Sequence, residues 1–107
     1  MQSTNSRKDP PVAAAPQPIP LVVTTAHKGV FYGYGHPTTE KTIRITQAQM
    51  AVSWSSEIHG ITGLAATGPS RNCKIGPAAP AILLHDITSI MEASPEAAKK
   101  WEAAPWS

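Results

Sequence analysis

Short runs of β-branched and aromatic residues alternate with turn residues from Leu21 onward. Residues 21–25 and 30–34 are apolar and free of proline, so each predicts a β-strand, with a tight turn or bulge at residues 27–29. Residues 41–46 alternate isoleucine with polar side chains, the pattern of a half-buried strand. The first half of the folded region is therefore predicted to be β-structure.

The apolar positions change phase in the next stretch of the chain. Ile43 and Ile45 are odd-numbered, whereas Met50, Val52 and Trp54 are even-numbered. Because a one-residue slip swaps the two faces of a strand, a bulge or short turn is predicted near residues 47–49, and we interpret the region as a hairpin. Trp54 continues the phase of Met50 and Val52, which favours a core or subunit-contact residue over a platform for stacking bases.

The central segment, residues 60–80, combines small residues with two Gly-Pro pairs. Residues 63–66 are predicted to form a short strand that allows close backbone approach, and the two Gly-Pro pairs are predicted turns. Residues 63–70 also have the glycine spacing of a phosphate-binding loop. Pro69 stands where that motif requires lysine, so the spacing does not predict nucleotide hydrolysis.

The end of the chain carries a clear helix signal. Residues 81–84 and 87–91 predict closing strands around His85 and Asp86. Ser94 followed by Pro95 and Glu96 is typical of a helix start, so we predict a helix over about residues 95–103. Such a helix is too short to be stable alone, and Trp101 and Trp106 are therefore expected to pack on the domain or on a neighbouring subunit.

These elements predict a mainly β fold, either a small SH3-like or Sm-like barrel or a sandwich, formed by residues 21–107 with one short C-terminal helix. Residues 1–20 form a separate segment, called here the N-terminal arm, that holds five of the eleven prolines. The arm cannot form a helix or a central strand and is expected to be extended. Its predicted contacts with neighbouring subunits involve Pro16, Pro18, Ile19 and Pro20.

Composition narrows the classes of function. A chain of 107 residues with a net charge of +2 suits one small domain, and so small a charge gives little support for nucleic-acid binding, which stays possible but is not favoured. Neither a membrane span nor a signal peptide is apparent, so we expect a soluble protein made in the cytosol, without membrane partners. The single cysteine fits a reducing compartment.

Candidate catalytic residues do not form a convincing set. The four histidines lack the spacing of a zinc site, so no metal and no cofactor are expected. His85, Asp86 and Ser89 have the chemical types of a hydrolase triad, but they lie too close on one strand to converge on one atom. We therefore do not expect an enzyme.

Five short motifs lie at residues 29–33, 63–69, 75–77, 84–88 and 95–101. With these motifs the chain resembles an uncharacterised family of short proteins encoded in tailed-phage and prophage genomes. The resemblance covers about residues 21–106 and leaves the N-terminal arm outside. It implies a viral origin but no activity, cofactor or catalytic residue.

Two functional hypotheses follow. The first is a structural or assembly protein of a phage particle, a capsid-decorating or connector-associated subunit that oligomerises and contacts other phage structural proteins through its arm. The second is a small intracellular protein that binds an anionic ligand, such as a nucleotide signal or nucleic acid, through basic and aromatic side chains. The residues proposed for that ligand site are Arg71, Lys74, Lys28, Arg44, Tyr32 and Tyr34. Trp54, Trp101 and Trp106 join the arm as expected subunit contacts.

Overall fold

The structure is a computed structural model, and it describes residues 17–54 and 56–104. Its strands are β1 (Ile19–Thr25), β2 (Val30–Gly35), β3 (Ile43–Ser53), β4 (Lys74–Ile75), β5 (Ala79–Leu84) and β6 (Ile87–Glu92). Its helices are α1 (Ile61–Ala66) and α2 (Pro95–Ala103), and a 3₁₀ turn covers Ser56–Ile58. The predicted mainly β fold with a short C-terminal helix is therefore confirmed.

All strand pairs in the described sheet are antiparallel, and the main order is β4-β3-β2-β1-β6. β5 and β4 pair with the same edge of β3. β5 pairs with the first half of β3, and β4 pairs with its second half. β5 and β6 follow each other in the chain, yet β5 pairs with β3 and β6 pairs with β1. The sheet is thus not closed, and it has apolar clusters on both of its faces.

β1 lies inside the sheet, which explains its unbroken apolar run. Leu21 and Val23 point into one apolar cluster, while Val22 points into the other, and all three are fully buried. Successive side chains of a strand face opposite sides, so a strand covered on both faces needs no polar positions. β1 begins at Ile19, two residues before the predicted strand, and Pro20 pairs with Tyr34.

β3 is one continuous strand, so the predicted hairpin is wrong, but the predicted bulge is confirmed. Gln47 has a φ of +52°, and the register with β2 shifts between the pairs Tyr32–Gln49 and Tyr34–Thr46. The extra residue keeps the apolar side chains on either side of it in one cluster. Those side chains are Ile43, Ile45 and Ala48.

The bulge also corrects the expected burial of the later half of β3. Met50 and Val52 are 43% and 60% exposed, although their phase suggested core positions. Gln49, which precedes Met50, and Ala51, which lies between Met50 and Val52, are buried instead. The change of phase marked the bulge correctly but assigned the wrong side chains to the core.

The predicted strand at residues 63–66 is wrong, because this stretch belongs to helix α1. The expected close backbone approach is confirmed in that helix. A Cβ atom built on Gly63 would lie 1.5 Å from the carbonyl oxygen of Ile58. Gly68, with a φ of +86°, follows the helix, and its N–H donates to the Gly63 carbonyl.

α2 begins as its sequence predicts and packs on α1. The Ser94 hydroxyl accepts a hydrogen bond from the Ala97 N–H at 3.0 Å, and Pro95 occupies the first turn. Trp101 is fully buried, and its indole N–H donates to the Leu64 carbonyl at 3.0 Å. The tryptophan therefore fixes α2 against its own domain.

Candidate functional site

Two tyrosines of β2 and one carboxylate of α2 form what we call the Tyr–Glu cluster: Tyr32, Tyr34 and Glu102. The tyrosines are two residues apart, so they project from the same face of β2. Both hydroxyls donate to Oε2 of Glu102, at 2.7 Å from Tyr32. The Tyr32 ring also stacks on Trp101, with ring centroids 5.1 Å apart and planes 7° from parallel. The cluster thus joins β2 to the end of α2.

The surroundings of the two phenols hold them in the neutral form. Burial raises the pKa of Tyr32 far above its ordinary value, and the hydrogen bond to Glu102 raises it further. The pKa of Tyr34 is also raised above its ordinary value, and the main cause is its hydrogen bond to Glu102. Both hydroxyls donate to this carboxylate and Tyr32 is fully buried, so the structure places Tyr32 in the core of the domain. Tyr34 is half-buried at the rim of the cluster.

Gln49 and Glu102 were missed by sequence reasoning, although each has a structural role. The Gln49 amide is 3% exposed and donates to the Ala104 carbonyl at 2.8 Å, just after α2. Glu102 lies in the last turn of α2, where the helix dipole disfavours a negative charge. That unfavourable position was the available signal that Glu102 has a specific partner.

Part of the predicted ligand site is brought together by the loop after α1. Arg71 lines a cleft of ≈ 340 Å³ with Lys99 and Lys100 of α2. Arg71 also lines a second cleft of ≈ 340 Å³, together with Lys74. We call these two adjacent depressions the cationic clefts. Lys99 and Lys100 were not predicted for this site, because only the packing of α2 beside the loop places them there.

Acidic side chains lie next to the cationic clefts. Glu57 Oε2 accepts hydrogen bonds from the Ser70 hydroxyl at 2.6 Å and from the Asn72 amide at 3.0 Å, which holds the loop in place. Glu96 pairs with Lys100 at 3.2 Å. The clefts are therefore cationic but partly neutralised.

Lys28 and Arg44, also assigned to the ligand site, lie on other elements. Lys28 is in the turn between β1 and β2, with a φ of +64°. Arg44 is on β3 opposite Leu83 of β5. Neither side chain lines either cationic cleft, so only Arg71 and Lys74 of the six predicted ligand residues meet there.

A third depression, called here the edge cleft, lies between residues 37–41 and β6. Its volume is ≈ 450 Å³, and β6 contributes Ile87, Thr88, Ser89, Ile90 and Glu92. At one end the Ile87 N–H donates to the Lys41 carbonyl at 3.1 Å. Among the described strands, β6 pairs only with β1, so its other edge faces this cleft.

Side chains near the edge cleft hold β6 to β1. The Thr24 hydroxyl is hydrogen-bonded to the hydroxyls of Thr88 at 2.7 Å and Ser89 at 2.5 Å. Ile87 and Ile90 are half-buried against the apolar cluster that contains Leu21 and Ile45. The edge is therefore well anchored on one side and open on the other.

The predicted subunit contacts have different positions in the structure. Trp54 is half-buried against the apolar cluster that contains Tyr32 and Trp101. Trp101 itself is fully buried in its own domain. Pro18 is exposed, whereas Ile19 and Pro20 are half-buried in or beside the sheet. Pro16 and Trp106 lie outside the described residues.

Two further properties of the described residues bear on function. They contain no group of three histidine, cysteine, aspartate or glutamate side chains that could hold a metal ion. No helix within residues 17–54 or 56–104 is long and apolar enough to cross a membrane.

The fold defines a small antiparallel β domain with an open edge and helices packed on one face. The chain belongs to the family defined by a domain of unknown function, DUF6948, whose model matches residues 19–101. The match begins at the first residue of β1 and ends at Trp101 in α2. Comparison with curated proteins and with solved structures gave no significant match.

Proposed function

We propose that this chain is a non-enzymatic structural or assembly protein of a tailed-phage particle, which oligomerises and contacts its neighbours through the N-terminal arm. The observation that carries the proposal is the open edge of β6. An unpaired strand edge presents N–H and C=O groups that another chain can pair with. The phage assignment rests on the sequence resemblance, which implies a viral origin.

Exposed apolar side chains on the described surface support a role in assembly. Val52 and Leu83 are 60% and 55% exposed, and Met50 is 43% exposed. A small domain also buries a low fraction of its surface, so contacts with other subunits would stabilise it. In this proposal the chain is a decorating or connector-associated subunit.

Copy number tests the proposal directly. Quantitative mass spectrometry is applied to purified phage particles and to lysate of infected cells, and light scattering measures the mass of the purified full chain over a range of concentrations. Many copies per particle and a mass above that of the monomer are expected. A monomeric chain that is abundant in lysate but absent from particles would contradict the proposal.

The cationic clefts favour a second candidate function, binding of an anionic ligand inside the infected cell. Arg71, Lys74, Lys99 and Lys100 surround two adjacent depressions, although Glu57 and Glu96 reduce the local positive charge. Calorimetric titration with nucleotides and short oligonucleotides tests this candidate. Binding that is lost in the Lys74→Ala and Lys99→Ala variants, and kept in the Lys28→Ala control, would favour it over the assembly role.

A further inference from the structure

We propose that the edge cleft receives the N-terminal arm of a second copy of this chain, with residues 12–15 of the arm pairing with the open edge of β6. The inference rests on the proposed assembly role and identifies the surface that performs it. Strand addition at a free edge is a general mode of peptide recognition, in which main-chain hydrogen bonds supply affinity.

The three outer strands of the described sheet, β4, β5 and β6, are not equivalent as pairing edges. β4 has only two residues, and one of them is Lys74, a residue type that discourages pairing at an edge. β5 contains Pro80, which has no N–H and is a common means of protecting an edge. β6, with the sequence ITSIME, contains neither proline nor lysine. β6 is therefore the edge that is competent to add a strand.

The arm contains one stretch suited to this edge. Residues 12–15 (VAAA) are four consecutive residues with N–H groups and small apolar side chains, between Pro11 and Pro16. The prolines on both sides favour an extended backbone without competing as donors. Small side chains also suit a cleft that is bounded by residues 37–41 on one side and by β6 on the other.

The sequence before β1 favours a second copy over the same chain as the partner. Pro18 and Pro20 restrict the preceding residues, Gln17 and Ile19, to extended conformations. To reach the far edge of its own β6, the chain would have to reverse direction just before β1, where the prolines oppose a tight turn. If the 16 residues before Gln17 are extended at about 3.3 Å each, they span roughly 50 Å, enough to reach a neighbour.

Charge adds a weaker argument for the same occupant. The edge cleft carries two exposed carboxylates, Glu40 and Glu92, together with Lys41. Arg7 and Lys8 precede the pairing segment of the arm, with Asp9 beside them. The arm is thus slightly cationic and the cleft slightly anionic, which favours their encounter.

Cysteine cross-linking between differently tagged full-length copies tests the inference. One copy carries Ala14→Cys and the other carries Thr39→Cys in the wall of the cleft. A matched control carries Thr62→Cys, an exposed threonine of α1 outside the cleft. Because docking raises the local thiol concentration, the Thr39→Cys copy should give an interchain disulfide at least about tenfold faster than the control.

The alternative outcomes separate the inference from the proposed function. Equal rates of interchain disulfide formation for Thr39→Cys and Thr62→Cys in an oligomeric protein would overturn the edge cleft as the docking site of the arm. They would leave the proposed assembly role intact. An intrachain disulfide in an Ala14→Cys/Thr39→Cys chain at high dilution would show that the arm lies in the cleft of its own chain. That result would overturn the proposal that a second copy supplies the arm. A monomeric protein without interchain cross-links would contradict both.

A pair of proline substitutions tests main-chain pairing itself. Successive N–H groups of a strand point in opposite directions, so Ala13 and Ala14 cannot both donate to β6. Either Ala13→Pro or Ala14→Pro, but not both, should weaken self-association about five- to tenfold, as measured by sedimentation. Equal effects of the two substitutions would overturn strand pairing.

Discussion

The two faces of the sheet are built on different principles. On one face, called here the aliphatic face, the buried side chains are all aliphatic and come from strands β1, β3 and β5, with Leu21 and Ile45 among them. Half-buried side chains, including Phe31, pack around this cluster. The other face is covered by α1 and α2 and combines small residues with Tyr32 and Trp101. On the helix-covered face, buried side chains also form hydrogen bonds between distant segments, including Trp101 to Leu64 and Gln49 to Ala104.

This difference shows where specificity is concentrated. Aliphatic packing tolerates exchanges of similar volume, whereas a buried polar group that loses its partner costs the full desolvation penalty. We therefore expect the helix-covered face to be far more sensitive to conservative substitution. The predictions below test that contrast.

Gly63→Ala should give the largest loss of stability. The new Cβ would lie 1.5 Å from the Ile58 carbonyl oxygen, a backbone atom, so the 3₁₀ turn and α1 must separate. We expect a loss above about 4 kcal/mol in urea unfolding, or failure to fold.

Gly60→Ala is the matched control for Gly63→Ala. A Cβ on Gly60 meets nothing within 4 Å, but its φ of +83° is unfavourable for alanine. Backbone strain alone should cost roughly 1–3 kcal/mol. Equal losses for the two variants would show that close packing of α1 against the 3₁₀ turn is not the dominant constraint.

Trp101→Phe should give the next largest effect. The substitution keeps an aromatic ring beside Tyr32 but removes the indole N–H, which leaves the Leu64 carbonyl without this donor and opens a small cavity. We expect a loss of roughly 2–3 kcal/mol in urea unfolding. If the free energy of unfolding fell by less than the cost of removing one buried methylene, the importance assigned to the Trp101–Leu64 hydrogen bond would be contradicted.

The same contrast explains which features the sequence predicts. The strands that form the aliphatic face follow from local patterns: the proline-free apolar run predicted residues 21–25, and alternation predicted residues 41–46. The bulge near Gln47 was visible as a change of phase, because alternation records the face of each side chain. Helix α2 was predicted from Ser94 and Pro95, since capping is local.

Features that depend on distant contacts were not predicted. Residues 63–66 form a helix rather than a strand because Gly63 packs against Ile58 and because Leu64 and Ala65 are buried against α2. The meeting of Arg71 with Lys99 depends on how α2 lies beside the loop. Tyr32 resembled a stacking platform because its partner, Glu102, is 70 residues away along the chain.

Alkaline pH should selectively weaken the helix-covered face. In the unfolded chain the phenol of Tyr32 ionises near its ordinary pKa of about 10, whereas burial and Glu102 raise its pKa in the folded protein. Above about pH 10 the unfolded state releases this proton and the folded state retains it. The free energy of unfolding is therefore unaffected by this group below pH 10 and falls by about 1.4 kcal/mol per pH unit above it.

Tyr32→Phe isolates this contribution from other groups that titrate in the same range. At neutral pH the variant should lose about 1 kcal/mol, because Tyr34 still donates to Glu102. Urea unfolding between pH 9 and pH 11 should show a shallower decline for the variant than for the parent. Parallel declines would mean that Tyr32 ionises equally in both states.

Ile45→Val should give a small effect at every pH, because it changes the aliphatic face by a single methylene. Ile45 is fully buried among side chains such as Leu21 and Val23, and no hydrogen bond depends on its side chain. We expect a loss of about 1 kcal/mol in urea unfolding, with the same pH dependence as the parent between pH 9 and pH 11. Because Ile45 and Trp101 are both fully buried, the difference between their losses measures the contribution of hydrogen bonding and ring volume on the helix-covered face. If Ile45→Val cost as much as Trp101→Phe, the two faces would be equally demanding and the contrast between them would fail.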